Sequence, residues 1–174
     1  MKIKGFCGFI CPLIFIFFFA INARAEKNIL LNSDFLQGDK FPSGWEIENK
    51  KVHWEKDKGY LKYSLDKATA FGEGLWVYSI FHKIKSPNSF ILKVKAKSNG
   101  PEIIVFVEGW GMLKGRKRRI ERNECFLHPE SDAWQNYRIK LKFVNPMVEW
   151  LRVKPYIYLK PGTVYFDRIE LIEE

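Results

Sequence analysis

Phe90-Ile91-Leu92-Lys93-Val94-Lys95-Ala96-Lys97 is the stretch whose reading decides the fold class. Phe90, Leu92, Val94 and Ala96 share one parity, while Lys93, Lys95 and Lys97 share the other. A period of two is the mark of a strand with one dry and one wet face. Tyr137-Arg138-Ile139-Lys140-Leu141-Lys142-Phe143 repeats the pattern, with Arg138, Lys140 and Lys142 outward. Ile103 to Val107 is apolar on both faces, as in a central strand. Further strands are expected at 60–66, 75–81, 118–127, 150–159 and 164–172. They are separated by Ser86-Pro87-Asn88, Ser98-Asn99-Gly100-Pro101, Asn145-Pro146 and Lys160-Pro161-Gly162. Helical periodicity is nowhere sustained. About nine short strands at this spacing predict an all-β chain folded as an antiparallel β-sandwich.

Outward from that core, composition sets the class. Of the 174 residues, 47% are hydrophobic, which excludes general disorder. Charged residues at 28%, with turns throughout, exclude a multi-span membrane protein. Lys2 and Lys4 precede an apolar run from Phe6 to Ile21, and Ala23-Arg24-Ala25 follows with the small-x-small pattern of a cleavage site. Residues 1–25 therefore read as an export signal and 26–174 as one domain, secreted or periplasmic. Retention of the leader as an anchor is the alternative. Lys2, Lys4 and Arg24 lie in the leader, so the +9 of the whole chain becomes +6 in the remainder.

Cys7 and Cys11 leave with the leader, so Cys125 stands alone and no internal disulfide is possible. In Glu124-Cys125-Phe126 it reads as a small buried apolar residue. A nucleophilic role would need an adjacent base, and His53, His82 and His128 have no motif context. Metal-ligand spacing, a phosphate loop and a nucleophile elbow are all absent from the sequence. Glu73 and Glu108 are the carboxylates that a glycosidase reading would pair, but the expectation is a protein that is not an enzyme.

Three strands carry aromatic and polar residues on a single parity. In 150–159, Trp150, Arg152, Lys154, Tyr156 and Tyr158 alternate with the core-facing Leu151, Val153, Pro155, Ile157 and Leu159. In 75–81, Trp76 and Tyr78 oppose Leu75, Val77 and Phe81, and in 102–110, Phe106, Glu108 and Trp110 share a parity. Rings stack on the C–H faces of sugars while a few polar groups fix the hydroxyls. Trp76, Tyr78, Glu108, Trp110, Trp150, Arg152, Tyr156 and Tyr158 are therefore the candidate carbohydrate-binding residues. Plain cross-strand packing is the competing reading, and one bulge would invert part of the assignment. Lys114-Gly115-Arg116-Lys117-Arg118-Arg119, with Gly109, Gly111 and Gly115 around it, reads as a long basic hairpin loop. It is either a solvated loop or a contact for an anionic polymer. For an exported chain an acidic polysaccharide is a better partner than nucleic acid.

The ends of the domain carry a family resemblance. Asn28-Ile29-Leu30-Leu31-Asn32-Ser33-Asp34-Phe35, followed by Pro42-Ser43-Gly44-Trp45, resembles the opening of carbohydrate-binding modules with the galactose-binding-like jelly-roll fold, of the kind attached to xylanases and glucanases. Gly162-Thr163-Val164-Tyr165-Phe166-Asp167-Arg168-Ile169-Glu170-Leu171 is similar to their last strand. Lys93-Val94-Lys95-Ala96-Lys97-Ser98 and Trp134-Gln135-Asn136-Tyr137-Arg138-Ile139 match their middle strands. Asn32, Ser33 and Asp34 can turn the chain through side-chain bonds, which leaves Phe35 and Trp45 as plugs for one end of the sandwich. The resemblance implies a structural calcium ion near Asp34 and Asp167, the latter expected inward, although Leu36 stands where a Glu is usual. It also implies a non-catalytic, polysaccharide-binding jelly roll with no membrane span after leader removal. An envelope or extracellular protein-interaction domain on the same fold is the alternative.

Overall fold

The computed structural model describes residues 26–86, 88–129 and 131–174; the expected export signal lies outside the described residues. Two antiparallel sheets face one another. Sheet I runs β11 (Gln135–Lys142), β8 (Ser89–Ser98), β13 (Gly162–Glu173), β4 (Tyr60–Leu65) and β3 (Val52–Glu55), with β1 (Lys27–Asn28) also paired to β13. Sheet II runs β10 (Arg116–Leu127), β9 (Glu102–Leu113), β12 (Trp150–Tyr158) and β5 (Leu75–Trp76), with β7 (His82–Lys83) further along β12. A two-stranded ribbon of β2 (Trp45–Glu46) and β6 (Tyr78–Ser79) lies off these paths, and α1 (Lys67–Phe71) is a single short helix. The architecture is the antiparallel sandwich that the alternation predicts and the jelly roll that the resemblance implies.

The inner faces make one core. Leu61, Tyr63, Phe90, Leu92, Val94, Phe166 and Ile169 from sheet I meet Leu75, Val105, Val107, Leu151, Val153 and Ile157 from sheet II. Phe35 and Trp45 close one end, with ring centroids 5.1 Å apart. Asn32 builds the turn that presents them. Its amide nitrogen donates to the carbonyls of Gln37 and Ser43, its amide oxygen accepts from Gln37 N–H, and its own carbonyl accepts from Trp45 Nε1. Cys125 is buried as expected, and burial pushes its thiol up to about 11, which favours the neutral thiol over the thiolate.

Three features depart from the sequence reading. The basic run is not a long loop: Leu113 pairs with Arg116, and Lys114-Gly115 alone make the turn, both with positive φ (50° and 71°). This is the conformation that two-residue hairpins require. β9 runs straight through Gly109 and Gly111 because the 143–148 connection lies against it; a Cβ on Gly111 would come within 2.0 Å of the Met147 carbonyl oxygen. The expected strand 75–81 is broken into β5 and β6, and β7 follows just beyond it. Pro155 faces this edge of β12 and has no N–H to offer. The neighbouring Val153 N–H on the same edge is taken instead by Ser79 Oγ at 2.9 Å.

Tyr63 is fully buried and its hydroxyl has no hydrogen-bond partner among the described residues. Burial raises its pKa well above the ordinary phenol value. The Tyr63→Phe protein is expected to gain about 1 kcal/mol in denaturant unfolding, because it sheds an unsatisfied polar group at nearly constant volume. Unchanged or lower stability would show that the hydroxyl finds a partner.

Candidate functional site

The ladder between β9 and β12 is unbroken from Trp150↔Trp110 to Tyr158↔Glu102. Residues directly opposite in an antiparallel pair point to the same face. Three cross-strand pairs therefore line the outer face of sheet II: Trp150 with Trp110, Arg152 with Glu108, and Lys154 with Phe106. On the far edge Trp76 pairs with Tyr156. All eight sequence candidates (Trp76, Tyr78, Glu108, Trp110, Trp150, Arg152, Tyr156 and Tyr158) come together on this face. Lys154 and Phe106, which share their parity, sit among them.

Cations cover the rings. Lys154 Nζ lies 4.5 Å from the Trp76 ring centroid, 5.3 Å from Tyr78, 5.5 Å from Tyr156 and 5.8 Å from Phe106. The Arg152 guanidinium sits 3.8 Å over Tyr78 and 4.9 Å from Phe81. Lys117 bridges Phe81 and Trp150 at 4.2 and 4.4 Å. Each contact is worth about 0.5–2 kcal/mol according to its exposure. Between the cations the rings touch one another, Tyr156 stacking on Tyr158 at 5.3 Å and Phe81 meeting Trp110 edge-on at 5.3 Å. Burial among these rings lowers the pKa of Lys154, with Arg119, Arg122 and Arg152 adding to the shift and Glu108 opposing it.

Glu108 is the anchor of the polar network. It is 3% exposed and accepts from Arg119 at 2.8 Å and from Trp110 Nε1 at 3.2 Å. A carboxylate committed in this way holds the Arg119 guanidinium and the Trp110 ring in place. Arg152 is held by Glu46 and by the Ser79 carbonyl at 3.0 Å. Tyr156 donates to the Glu73 carbonyl at 2.9 Å.

Sequence reasoning missed Arg122 and Phe81, and it put Lys117 and Arg119 in a basic loop rather than on this face. Arg119 and Arg122 are three residues apart, so strict alternation puts them on opposite faces. A bulge between Arg119 and Glu121 restores both to this one, opposite Trp110 and Glu108. Phe81 was read as core, yet it lies outward beside Trp110. Seven residues separate Trp76 from Lys83 where six separate their partners Tyr156 and Trp150, and the extra residue inverts the parity. The only available signal was Pro155, which disrupts pairing on that edge.

No family model and no curated protein matches the chain. Solved structures do. A CBM4 carbohydrate-binding module aligns with a TM-score of 0.57 at 12% identity, over 83% of this chain and 99% of its own. Family 16 carbohydrate-binding module 2 aligns at 0.56 and 14% identity, over 84% and 100%. A family 61 module in complex with β-1,4-galactotriose aligns at 0.50 and 13% identity, over 86% and 100%. The fold is that of the carbohydrate-binding jelly rolls. At these identities the likeness is one of fold. No helix among the described residues is long and apolar enough to cross a membrane.

The calcium ion implied for this jelly roll does not suit its two carboxylates as they are placed. Phe166 and Ile169 both face the core, and a bulge between Phe166 and Arg168 puts Asp167 outside, not inward. There it pairs with the Lys95 ammonium, 2.9 Å away. Asp34 Oδ1 accepts from Leu36 N–H at 3.4 Å. Among the described residues no three His, Cys, Asp or Glu side chains gather as a metal set. The expected result is a Tm unchanged by chelator or by millimolar calcium. A rise with calcium would reveal a cage built mainly from backbone carbonyls. In a separate thermal melt, Glu108→Ala is expected to cost about 2 kcal/mol, a Tm drop of about 4–8 °C, because Arg119 and Trp110 lose their acceptor.

Proposed function

We propose that this chain is a non-catalytic, exported module that binds an acid-bearing polysaccharide on the outer face of sheet II. The observation that carries the reading is Lys154 seated among Trp76, Tyr78, Phe106 and Tyr156. A neutral sugar stacking on those rings would displace the ammonium and offer it only neutral hydroxyl acceptors in exchange. A uronic acid unit keeps it, since its C–H face covers a ring while its carboxylate pairs with Lys154 or Arg152. Lys117, Arg119 and Arg122 extend the positive potential along β10.

The fold match to carbohydrate-binding modules supports carbohydrate as the ligand class. A protein-contact role would ask for a flatter apolar patch, whereas here charged groups lie among the rings across the face. Export is supported by the leader motif in the sequence.

The test is titration of the full chain with an oligogalacturonate and with a neutral cello-oligosaccharide, following Trp fluorescence. Saturable binding at least tenfold tighter for the acidic chain is expected. Trp76→Ala and Lys154→Met, each checked by circular dichroism for an intact fold, are expected to weaken it tenfold or more. The Lys154→Met protein should also show a shallower salt dependence. Equal affinity for both glycans would overturn the acid preference, and no binding by either would overturn the glycan reading.

A further inference from the structure

We infer that the opposite face of the sandwich, on sheet I, is a second binding site for an acidic glycan chain. Its residues come from four separate stretches. Tyr60 is on β4, Tyr165 on β13, Lys95 and Lys97 on β8, and Trp134 lies just before β11. The three rings form a closed triangle, with centroids 5.3 Å apart for Tyr60–Tyr165, 6.3 Å for Tyr60–Trp134 and 6.4 Å for Trp134–Tyr165. Trp134 is 37% exposed, so the triangle is open to solvent on that side.

Four ammonium groups surround it. Lys97 lies 4.6 Å from the Tyr165 centroid and 5.1 Å from Trp134, and Lys95 is 5.4 Å from Trp134. Lys58 is over Tyr60 at 5.8 Å and Lys62 over Tyr165 at 6.0 Å. Among the described residues two carboxylates act on them. Asp167 pairs with Lys95, and Glu55, opposite Tyr60 across β3 and β4, acts on Lys58. Lys62 and Lys97 form no ion pair among the described residues. Rings available for stacking beside uncompensated ammonium groups are the complement of a chain bearing sugar faces and carboxylates. The chemistry is that of sheet II, presented on the far side of a core about 10 Å thick. A module with two such faces can hold two polysaccharide chains at once and so cross-link them.

The ligand class rests on the reading proposed for sheet II, and the experiment separates the two. Calorimetric titration of the intact chain with an oligogalacturonate of defined length is compared with two paired variants, Trp76→Ala/Lys154→Met and Trp134→Ala/Lys97→Met. Two sites per chain are expected for the parent and one for each pair, with residual binding by the sheet II pair that quenches Trp134 fluorescence. A parent with one site whose affinity is untouched by Trp134→Ala/Lys97→Met would overturn the inference. Loss of all binding in the sheet II pair would overturn it too. If only Trp134-dependent binding is seen, the sheet II proposal fails and this one stands. A single-stranded oligonucleotide is the control, and its binding at sheet I in preference to the uronate would overturn the glycan assignment.

Discussion

The β9–β12 ladder is the constraint on which the rest of the structure depends. Nine consecutive residue pairs hold without a slip, from Trp150↔Trp110 to Tyr158↔Glu102. Because side chains alternate, the register that sends Val105, Val107, Leu151 and Val153 into the core sends Phe106, Glu108, Arg152 and Lys154 out. A slip of β12 by one residue would turn Arg152 and Lys154 inward and Leu151 and Val153 outward, so the cost of desolvating the charges locks the site to the core. The glycines at 109 and 111 serve the same ladder by letting the connection before β12 lie directly on it.

Around that ladder, charge and aromaticity are spent on each other. Lysine and arginine stems lie along ring faces and their heads remain near solvent. Such contacts hold the rings at fixed spacing and keep large apolar surfaces from being bare on both outer faces. They also leave cations poised where an anionic sugar can share them. Glu108 is the exception in kind, a buried carboxylate whose two partners tie β9 to β10 and fix the Trp110 ring. The same arrangement recurs on sheet I without a counterpart of Glu108, and there the ammonium groups outnumber their acceptors.

Much of this was legible in the chain. The strands β4, β8, β9, β10, β11, β12 and β13 follow directly from parity and turn residues. The eight outward candidates share a face because none of the bulges falls between them on β9 or β12. Departures arise where count or pairing, rather than composition, decides. Pro155 withdraws a donor and its neighbouring edge breaks, which turns Phe81 outward. A bulged residue at Arg119/Glu121 brings both arginines, Arg119 and Arg122, to one face where strict alternation would leave only one, and another at Phe166/Arg168 sets Asp167 against Lys95 instead of toward the core. Glycines beside a basic run read as a loop, yet a two-residue turn suffices because Lys114 and Gly115 both take positive φ.

The sequence by itself determined the class of fold, the division into core and surface parity, and the chemistry available at the surface. These are local properties, set by side-chain period and turn chemistry within a few residues. Tertiary structure alone decided which surface residues meet. Trp134, Tyr60, Tyr165 and Lys97 are distant in the chain and share no pattern, and they converge only because β8, β13 and β4 are neighbours in sheet I. Strand order is a property of the whole packed sandwich, where long-range burial outweighs loop closure, and no local period encodes it.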